Sequence, residues 1–137
     1  MPNKKILIAD DIPETREMLR MAMELSGYDV IEAEDGHEAL LKAINEKPDL
    51  IIMDISMPRS DGYTASLELN KNPLTQRIPI IISSGHGKMQ NVFFKKATDG
   101  QARGQSTDSE AAIIADFIEK PFLPDELVSK VKKILGE

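Results

Sequence analysis

The sequence predicts a single doubly wound α/β domain in which five parallel strands alternate with helices. Four short runs, ILIA (6–9), LIIM (50–53), PIII (79–82) and DFIE (116–119), have the length and character of buried strands. Longer stretches between them place apolar residues at helical spacing, which is typical of strand–helix–strand units. A length of 137 residues fits one domain that is large enough to bury a core.

The first half of the chain contains two of these strand–helix units. After the strand at 6–9, a helix is predicted from Ile12 to Ser26, with Pro13 at a favourable first position and Gly27 as its stop. A second strand is predicted from Tyr28 to Ala33, and a second helix from Glu38 to Asn45. The apolar residues at helical spacing are Met18, Ala22 and Leu25 with Leu19 and Met23 beside them in the first helix, and Ala39, Leu40, Ala43 and Ile44 in the second.

The third strand, Asp49 to Asp54, is predicted to lie at the centre of the sheet. Leu50 to Met53 is continuously apolar rather than alternating, which indicates burial on both faces. The remaining predicted elements are a helix at Gly62–Leu69, strands at Ile78–Ser83 and Asp116–Glu119, and a last helix at Pro124–Leu135 with Leu127, Val131, Ile134 and Leu135 facing inward.

The connection between the fourth and fifth strands, about residues 85–115, is unusually long for a single helix and two loops. Residues 88–97 could form a helix, whereas TDGQARGQSTDS (98–109) has the composition of a mobile loop. Thr107 and Glu110 have the spacing of a capping box, so a short helix could restart there.

Five polar residues each close or directly follow one of the apolar runs: Asp10, Asp11, Asp54, Ser84 and Lys120. Ligands of doubly wound sheets bind at the carboxyl ends of the strands, so we expect these side chains to lie together there. Three carboxylates at close range oppose one another's ionisation, and such a group usually binds a divalent cation and then an anion. The pattern therefore indicates phosphate chemistry.

Composition and charge narrow the class of partner. The net charge is −6 and no basic block is longer than two residues, which argues against direct binding of nucleic acid and favours a protein partner. The chain has no cysteine, so disulfides and thiolate metal sites are excluded, and the composition is consistent with a reducing compartment. The N-terminus has no signal-like or membrane-spanning run, so we expect a cytoplasmic protein without membrane insertion.

Four motifs occur in order, each at a strand end: Asp10-Asp11, MDISMPRSDG (53–62) around Asp54, Ser84, and EKPF (119–122). Over the whole chain the sequence resembles the receiver domain of two-component response regulators, of the stand-alone chemotaxis type. The resemblance implies a flavodoxin-like sheet with strand order 2-1-3-4-5. It also implies a phosphoacceptor signalling domain rather than an enzyme that acts on other substrates.

The resemblance assigns a role to each strand-end residue. Asp54 would accept a phosphoryl group from a sensor histidine kinase, from a histidine phosphotransfer protein or from a small phosphodonor. Asp11 and Asp54 would bind Mg²⁺ directly together with the backbone carbonyl of Ser56, and Asp10 would act through a bound water. Lys120 would pair with a phosphoryl oxygen.

Further residues are implied in switching and in control of hydrolysis. Ser84 would donate its hydroxyl to the phosphoryl group. It fits this role better than Ser83 because strand alternation turns the two serines to opposite sides and because Ser84 stands five residues after Pro79, as the Ser or Thr of the family does. Phe117, three residues before Lys120, would be the aromatic switch. Ser56 and His86 would tune hydrolysis of the aspartyl phosphate, and the peptide bond before Pro121 would be cis.

Simpler interpretations exist for the same residues. Asp10-Asp11 could cap the first helix, and Lys120 could be an ordinary solvated lysine at a strand end. His37, after a turn, is expected in solvent, and two histidines do not suffice for a histidine-rich metal site.

The leading functional hypothesis is a phosphorylation switch that changes its affinity for a downstream protein target. One alternative is a receiver fold whose partner binding ignores phosphate because the 85–115 segment locks one conformation, and another is the receiver part of a longer regulator. A phosphatase of the haloacid dehalogenase type is disfavoured, because that family has a second Asp two residues after its nucleophile and this chain has Ser56.

Overall fold

A computed structural model of the chain describes residues 3–55, 62–84 and 114–137. All nine strands and helices predicted within these ranges are present, with ends that differ from the prediction by at most two residues. The helix, loop and capping box predicted for residues 88–110 lie outside the described residues. In chain order the elements are β1 (Lys5–Ala9), α1 (Pro13–Leu25), β2 (Asp29–Ala33), α2 (Gly36–Glu46), β3 (Leu50–Asp54), α3 (Gly62–Lys71), β4 (Ile80–Ser84), β5 (Ile114–Glu119) and α4 (Pro124–Leu135).

The strands form one parallel sheet in the order β2-β1-β3-β4-β5, which confirms the predicted fold class and strand order. All five residues of β3 are buried, as a central strand covered on both faces requires. The register pairs Ala9 with Met53 and Asp54 with Ser83, so β1, β3 and β4 end at the same level. This alignment brings the polar residues after each strand to one edge of the sheet.

Strand alternation divides the core into two layers. Ile51 and Met53 pack on one face against alanines of α2 and α3, whereas Leu50 and Ile52 pack on the other face against α1 and α4. Asp54 faces the same side of the sheet as Leu50 and Ile52, because it stands two residues after Ile52. Asp10 likewise follows Ile8, whose side chain lies in the same layer. The period of two thus directs both carboxylates to the face covered by α1 and α4.

The apolar stripe of α1 extends beyond the part of the helix that is buried. Leu19 and Met23 lie in the core, whereas Met18 is 43% exposed and Leu25 is 89% exposed. Five apolar positions span more of the helix circumference than one contact with the sheet can cover, so their spacing alone did not show which edge turns inward. For α4 the inward prediction holds: Leu127 and Val131 are buried, and Ile134 and Leu135 pack against the same layer.

Among the described residues, no helix combines the length and the apolar character that crossing a bilayer requires.

Candidate functional site

The structure brings the predicted strand-end residues together at one edge of the sheet. The Lys120 ammonium lies 3.2 Å from a carboxylate oxygen of Asp10 and 3.2 Å from one of Asp54. Asp11 completes the cluster, since carboxylate oxygens of Asp10, Asp11 and Asp54 all lie within 4.8 Å of one another. Ser84 closes β4 beside them, and its carbonyl accepts a 2.7 Å hydrogen bond from the Lys120 amide.

Asp10 is held in place by contacts on several sides. Its amide donates to the Ala33 carbonyl of β2 at 3.1 Å, and one of its carboxylate oxygens accepts from the Ile12 amide at 2.9 Å. The second bond turns the chain from β1 into α1, where Ile12 is the N-cap residue and makes no side-chain cap of its own. Asp10 therefore does not cap α1, contrary to the simpler interpretation. Its carboxylate orders the turn that leads into the helix, and it also pairs with Lys120.

Burial and charge shift the proton affinities within the cluster. Burial raises the pKa of Asp10 above its usual value, and the neighbouring Asp54 carboxylate adds to this, although the Ile12 amide and Lys120 act in the opposite direction. Burial alone would lower the pKa of Lys120, but the charges of Asp54 and Asp10 outweigh it and raise this pKa. Lys120 is therefore an ammonium at neutral pH and is not an ordinary solvated lysine.

The donor set suits a hard divalent cation. Asp10 and Asp54 are each only 2% exposed, whereas Asp11 reaches solvent and leaves the cluster accessible. Three ionised carboxylates and one ammonium carry two net negative charges, which a divalent cation would balance. Carboxylate oxygens are the ligands that Mg²⁺ prefers in proteins. The residues present thus fit a magnesium ion.

We expect Asp10→Asn to raise the melting temperature in EDTA at neutral pH, because it removes a carboxylate whose ionised form the fold disfavours. A pKa raised on folding means that stability falls as pH rises through the folded-state pKa. The difference in melting temperature between Asp10→Asn and wild type should therefore decrease as pH is lowered and Asp10 becomes protonated. Melting curves in EDTA at a series of pH values measure this difference.

Saturating Mg²⁺ should reverse the order of the two melting temperatures, so that wild type becomes more stable than Asp10→Asn. At 100 times its dissociation constant a ligand stabilises the folded state by about 2.7 kcal/mol, and the wild-type cluster should gain more than the variant. A variant that is less stable than wild type in EDTA at every pH would contradict this account of Asp10.

Gly62, the first residue of α3, packs directly against the backbone of Asp54. A Cβ atom at this position would lie 2.3 Å from the Asp54 carbonyl oxygen and 2.8 Å from Cγ of Met53. In the sequence, Gly62 marked only the start of a predicted helix. Its position in MDISMPRSDG, eight residues after Asp54, was the available signal, but spacing alone does not reveal a backbone approach of this kind.

Gly62→Ala should displace Asp54 and lower the free energy of unfolding by about 1–3 kcal/mol, the usual cost of forcing a methyl group into a packed site. It should also weaken Mg²⁺ binding. Gly27→Ala is a matched control, because Gly27 has a φ of 95° but a Cβ atom added there would meet nothing within 4 Å. The control should lose stability through backbone strain alone and keep its Mg²⁺ affinity. Urea unfolding and Mg²⁺ titration separate the two effects, and equal Mg²⁺ affinities would refute the role given to Gly62.

Ser84 and Phe117 belong to the opposite layer of the sheet from Ser83. Phe117 is partly buried against the layer that contains Ile80 and Ile82, and it pairs in register with Ile82. Ser84 stands two residues after Ile82, so alternation directs it to the same layer as Phe117. Ser83 pairs with Asp54 in register, and its buried hydroxyl has no hydrogen-bond partner in the described part of the chain.

Three further expectations have different outcomes. The Lys120–Pro121 peptide bond is cis, as the resemblance implied. His37 is exposed, as expected. Ser56 and His86 lie outside the described residues, so their predicted roles rest on the sequence alone.

Comparison with known proteins defines the family. The model of the response regulator receiver domain matches residues 6–132, and the chain therefore belongs to this family. The chain is 35% identical over 98% of its length to the phosphate regulon transcriptional regulatory protein PhoB of Pseudomonas aeruginosa, 53% of which it covers. The chain spans about half the length of the curated relatives that it matches.

Solved structures agree with the family. A CheY-like receiver domain protein of Methanospirillum hungatei is 28% identical with a TM-score of 0.78, and the match covers 98% of this chain and 94% of that one. The response regulator TrrA of Thermotoga maritima, solved in complex with Mg(2+)-BeF, is 32% identical with a TM-score of 0.72, covering 96% and 98% of the two chains.

Proposed function

We propose that this receiver domain is a phosphorylation switch in which Asp54 accepts the phosphoryl group. The observation that supports this most strongly is the Lys120 ammonium, placed 3.2 Å from both Asp10 and Asp54 beside the third carboxylate, Asp11. A buried carboxylate at a strand end, close to an ammonium and to two further carboxylates that would hold a cation with it, is arranged to attack an anionic phosphoryl group.

In the proposed reaction, a carboxylate oxygen of Asp54 attacks the phosphorus of a phosphohistidine. The new O–P bond forms as the P–N bond breaks, and the histidine nitrogen leaves with the electron pair. The other ring nitrogen of the phosphohistidine carries a proton during the transfer, so the products are an aspartyl phosphate and a neutral imidazole. With a small acyl phosphate as donor, the carboxylate of the donor is the leaving group instead.

The proposed cofactor is Mg²⁺, which Asp11 and Asp54 would hold together with the Ser56 carbonyl, while Asp10 would act through a bound water. When bound, the ion would neutralise the charge that develops on the phosphoryl oxygens. Asp10 also holds Lys120 in place, because it accepts from the same ammonium that contacts Asp54. The neighbour TrrA was solved with Mg(2+)-BeF, which supports a magnesium site in this family.

Lys120 would form an ion pair with a phosphoryl oxygen, and Ser84 would donate its hydroxyl to another. Movement of Ser84 toward the phosphate would leave room for Phe117, which we propose turns inward on the same side of the sheet. Phe117 has no hydroxyl to hydrogen-bond in an outward state, which favours the inward one. Ser56 and His86 would set how water approaches the aspartyl phosphate.

The proposed partners are a sensor histidine kinase or histidine phosphotransfer protein as donor and a downstream protein as target. The net charge of −6 supports protein contacts rather than nucleic acid for this chain. We propose that residues 1–137 form one receiver domain with a long connection at about 85–115, and that it acts in the cytoplasm. The relatives named transcriptional regulators are about twice as long, so a role as the receiver part of a longer regulator is the second candidate.

The experiment that tests this function measures phosphoryl incorporation from acetyl phosphate in Mg²⁺ and in EDTA, by intact mass. We expect one phosphoryl adduct in Mg²⁺ and at least a hundredfold slower incorporation in EDTA. Binding of candidate partners with and without the donor then tests the switch. No adduct from either acetyl phosphate or a phosphorylated histidine kinase, with the fold intact, would favour the phosphate-independent module.

A further inference from the structure

Arg16, near the start of α1, contacts the loop that joins β1 to α1. One of its terminal guanidinium nitrogens (Nη1) donates a 2.8 Å hydrogen bond to the backbone carbonyl of Asp10. Its Nε donates at 3.1 Å to the Glu32 carboxylate on β2. The Arg16 side chain is only 12% exposed, whereas the Glu32 side chain is 35% exposed. A planar guanidinium that makes two directed bonds fixes the groups at both ends.

The Asp10 carbonyl belongs to the peptide that joins Asp10 to Asp11. Two further hydrogen bonds hold this loop. The Asp10 amide donates to the Ala33 carbonyl, and the Asp10 carboxylate accepts from the Ile12 amide. The bond from Arg16 fixes the plane of the peptide between Asp10 and Asp11. The Cα atoms at the two ends of this peptide carry the two carboxylate side chains. Glu32, which accepts from Arg16 Nε, lies on β2, and β2 pairs in parallel with β1.

We propose that Arg16 is a positioning residue for the proposed magnesium site, acting through the Asp10–Asp11 peptide. The inference rests on the proposed function in that it assumes the carboxylate cluster binds Mg²⁺. Within the described residues, the contact of Arg16 with the cluster is to the backbone of Asp10 and not to a carboxylate. Arg16 holds this backbone so that Asp10 and Asp11 present their oxygens in the same direction as Asp54.

Electrostatics and positioning predict opposite effects when Arg16 is neutralised. If the guanidinium acted only as a positive charge near the cluster, its removal would strengthen Mg²⁺ binding. If it positions the loop, its removal weakens Mg²⁺ binding despite the more negative site. Loss of a group that orients metal ligands typically costs about 10–100-fold in metal affinity.

Arg20 offers a matched control on the same helix. Its Nε lies 3.1 Å from the other oxygen of Glu32, and Nη1 contacts Glu24 at 3.3 Å. The contacts of Arg20 in the described part of the chain do not include Asp10. Arg20→Gln therefore removes the same charge and the same ion-pair partner one turn away, without releasing the Asp10 carbonyl.

The test is titration of the full chain with Mg²⁺ alone, by calorimetry, for wild type, Arg16→Gln, Arg20→Gln and Asp11→Asn. We expect Arg16→Gln to bind about tenfold more weakly and Arg20→Gln to stay within about twofold of wild type. Arg16→Lys, which keeps the charge but cannot form both bonds, should be weakened severalfold, and it decides the question if Arg16→Gln does not fold.

Each other outcome overturns the proposal in a distinguishable way. Wild-type affinity or tighter binding in Arg16→Gln, or in Arg16→Lys where the first does not fold, would refute positioning and leave the magnesium site intact. An equal loss in Arg20→Gln would assign the effect to Glu32 or to charge. If wild type does not bind Mg²⁺, or if Asp11→Asn binds like wild type, then the magnesium site itself fails and the role of Arg16 fails with it.

Discussion

Replacement of Asp54 by Asn is expected to reduce phosphoryl incorporation below detection, a loss of at least a thousandfold. The amide keeps the size of the side chain but is not a nucleophile toward phosphorus. Asp54 is 2% exposed, ends the central strand and contacts the Lys120 ammonium, so the substitution removes the proposed acceptor from the cluster. Intact mass after incubation with Mg²⁺ and acetyl phosphate measures the loss.

Asp116→Asn is the matched control for Asp54→Asn. Asp116 is also a strand carboxylate paired with a lysine, Lys130, at 2.9 Å, but its side chain is 37% exposed and it lies outside the cluster. This variant should incorporate phosphate like wild type. Phosphorylation of Asp54→Asn at a rate near wild type would show that the acceptor is another residue.

Replacement of Lys120 by Met is expected to impair both stability and phosphoryl transfer. Without the ammonium, the buried carboxylates of Asp10 and Asp54 repel each other with no cation between them. Metal-free stability should fall by about 3 kcal/mol, the lower end of the usual cost of breaking a buried ion pair, because Lys120 is 23% exposed. Mg²⁺ should restore part of this loss because it neutralises the same carboxylates. Phosphoryl transfer in Mg²⁺ should still be about a hundredfold slower than in wild type, because a charged donor to the phosphoryl oxygen is lost.

Urea unfolding in EDTA and in Mg²⁺, together with phosphorylation rates, measures these effects. Lys130→Met is the control, since Lys130 pairs with the partly exposed Asp116 and should contribute less than about 1 kcal/mol. The raised pKa of Lys120 means that its contribution is fully present below the unfolded-state pKa and is lost only as pH rises through the folded value. A Lys120→Met protein that is as stable as wild type in EDTA would refute this role.

The sequence predicted the fold and the cluster because both follow from local patterns. Continuous apolar runs marked the buried strands β1, β3 and β4, whereas the prediction that DFIE (116–119) is a buried strand was wrong, because β5 lies at the edge of the sheet and only Ile118 is buried there. The right-handed crossovers of a parallel sheet place all strand ends with their following polar residues on one side. Asp10, Asp54 and Lys120 could therefore be grouped before any distance was known. The side of the sheet that each one faces follows from the period of two.

Other features could not be predicted because they depend on tertiary contacts. The part of the apolar stripe of α1 that is buried depends on the rotation of the helix about its own axis. The stripe is too broad to determine this rotation from the sequence. The approach of Gly62 to the Asp54 carbonyl and the bond from Arg16 to the Asp10 carbonyl both involve backbone atoms. Such contacts leave no periodic signal, since any residue has a carbonyl.

The most direct test of the central claim is to locate the phosphoryl group on the chain. The protein would be phosphorylated in Mg²⁺, treated with borohydride to convert an aspartyl phosphate to homoserine, digested, and sequenced by mass spectrometry. The account predicts a single modified residue, Asp54, and no modification when EDTA replaces Mg²⁺. Modification of a different residue, or the same modification of Asp54 in EDTA, would contradict it.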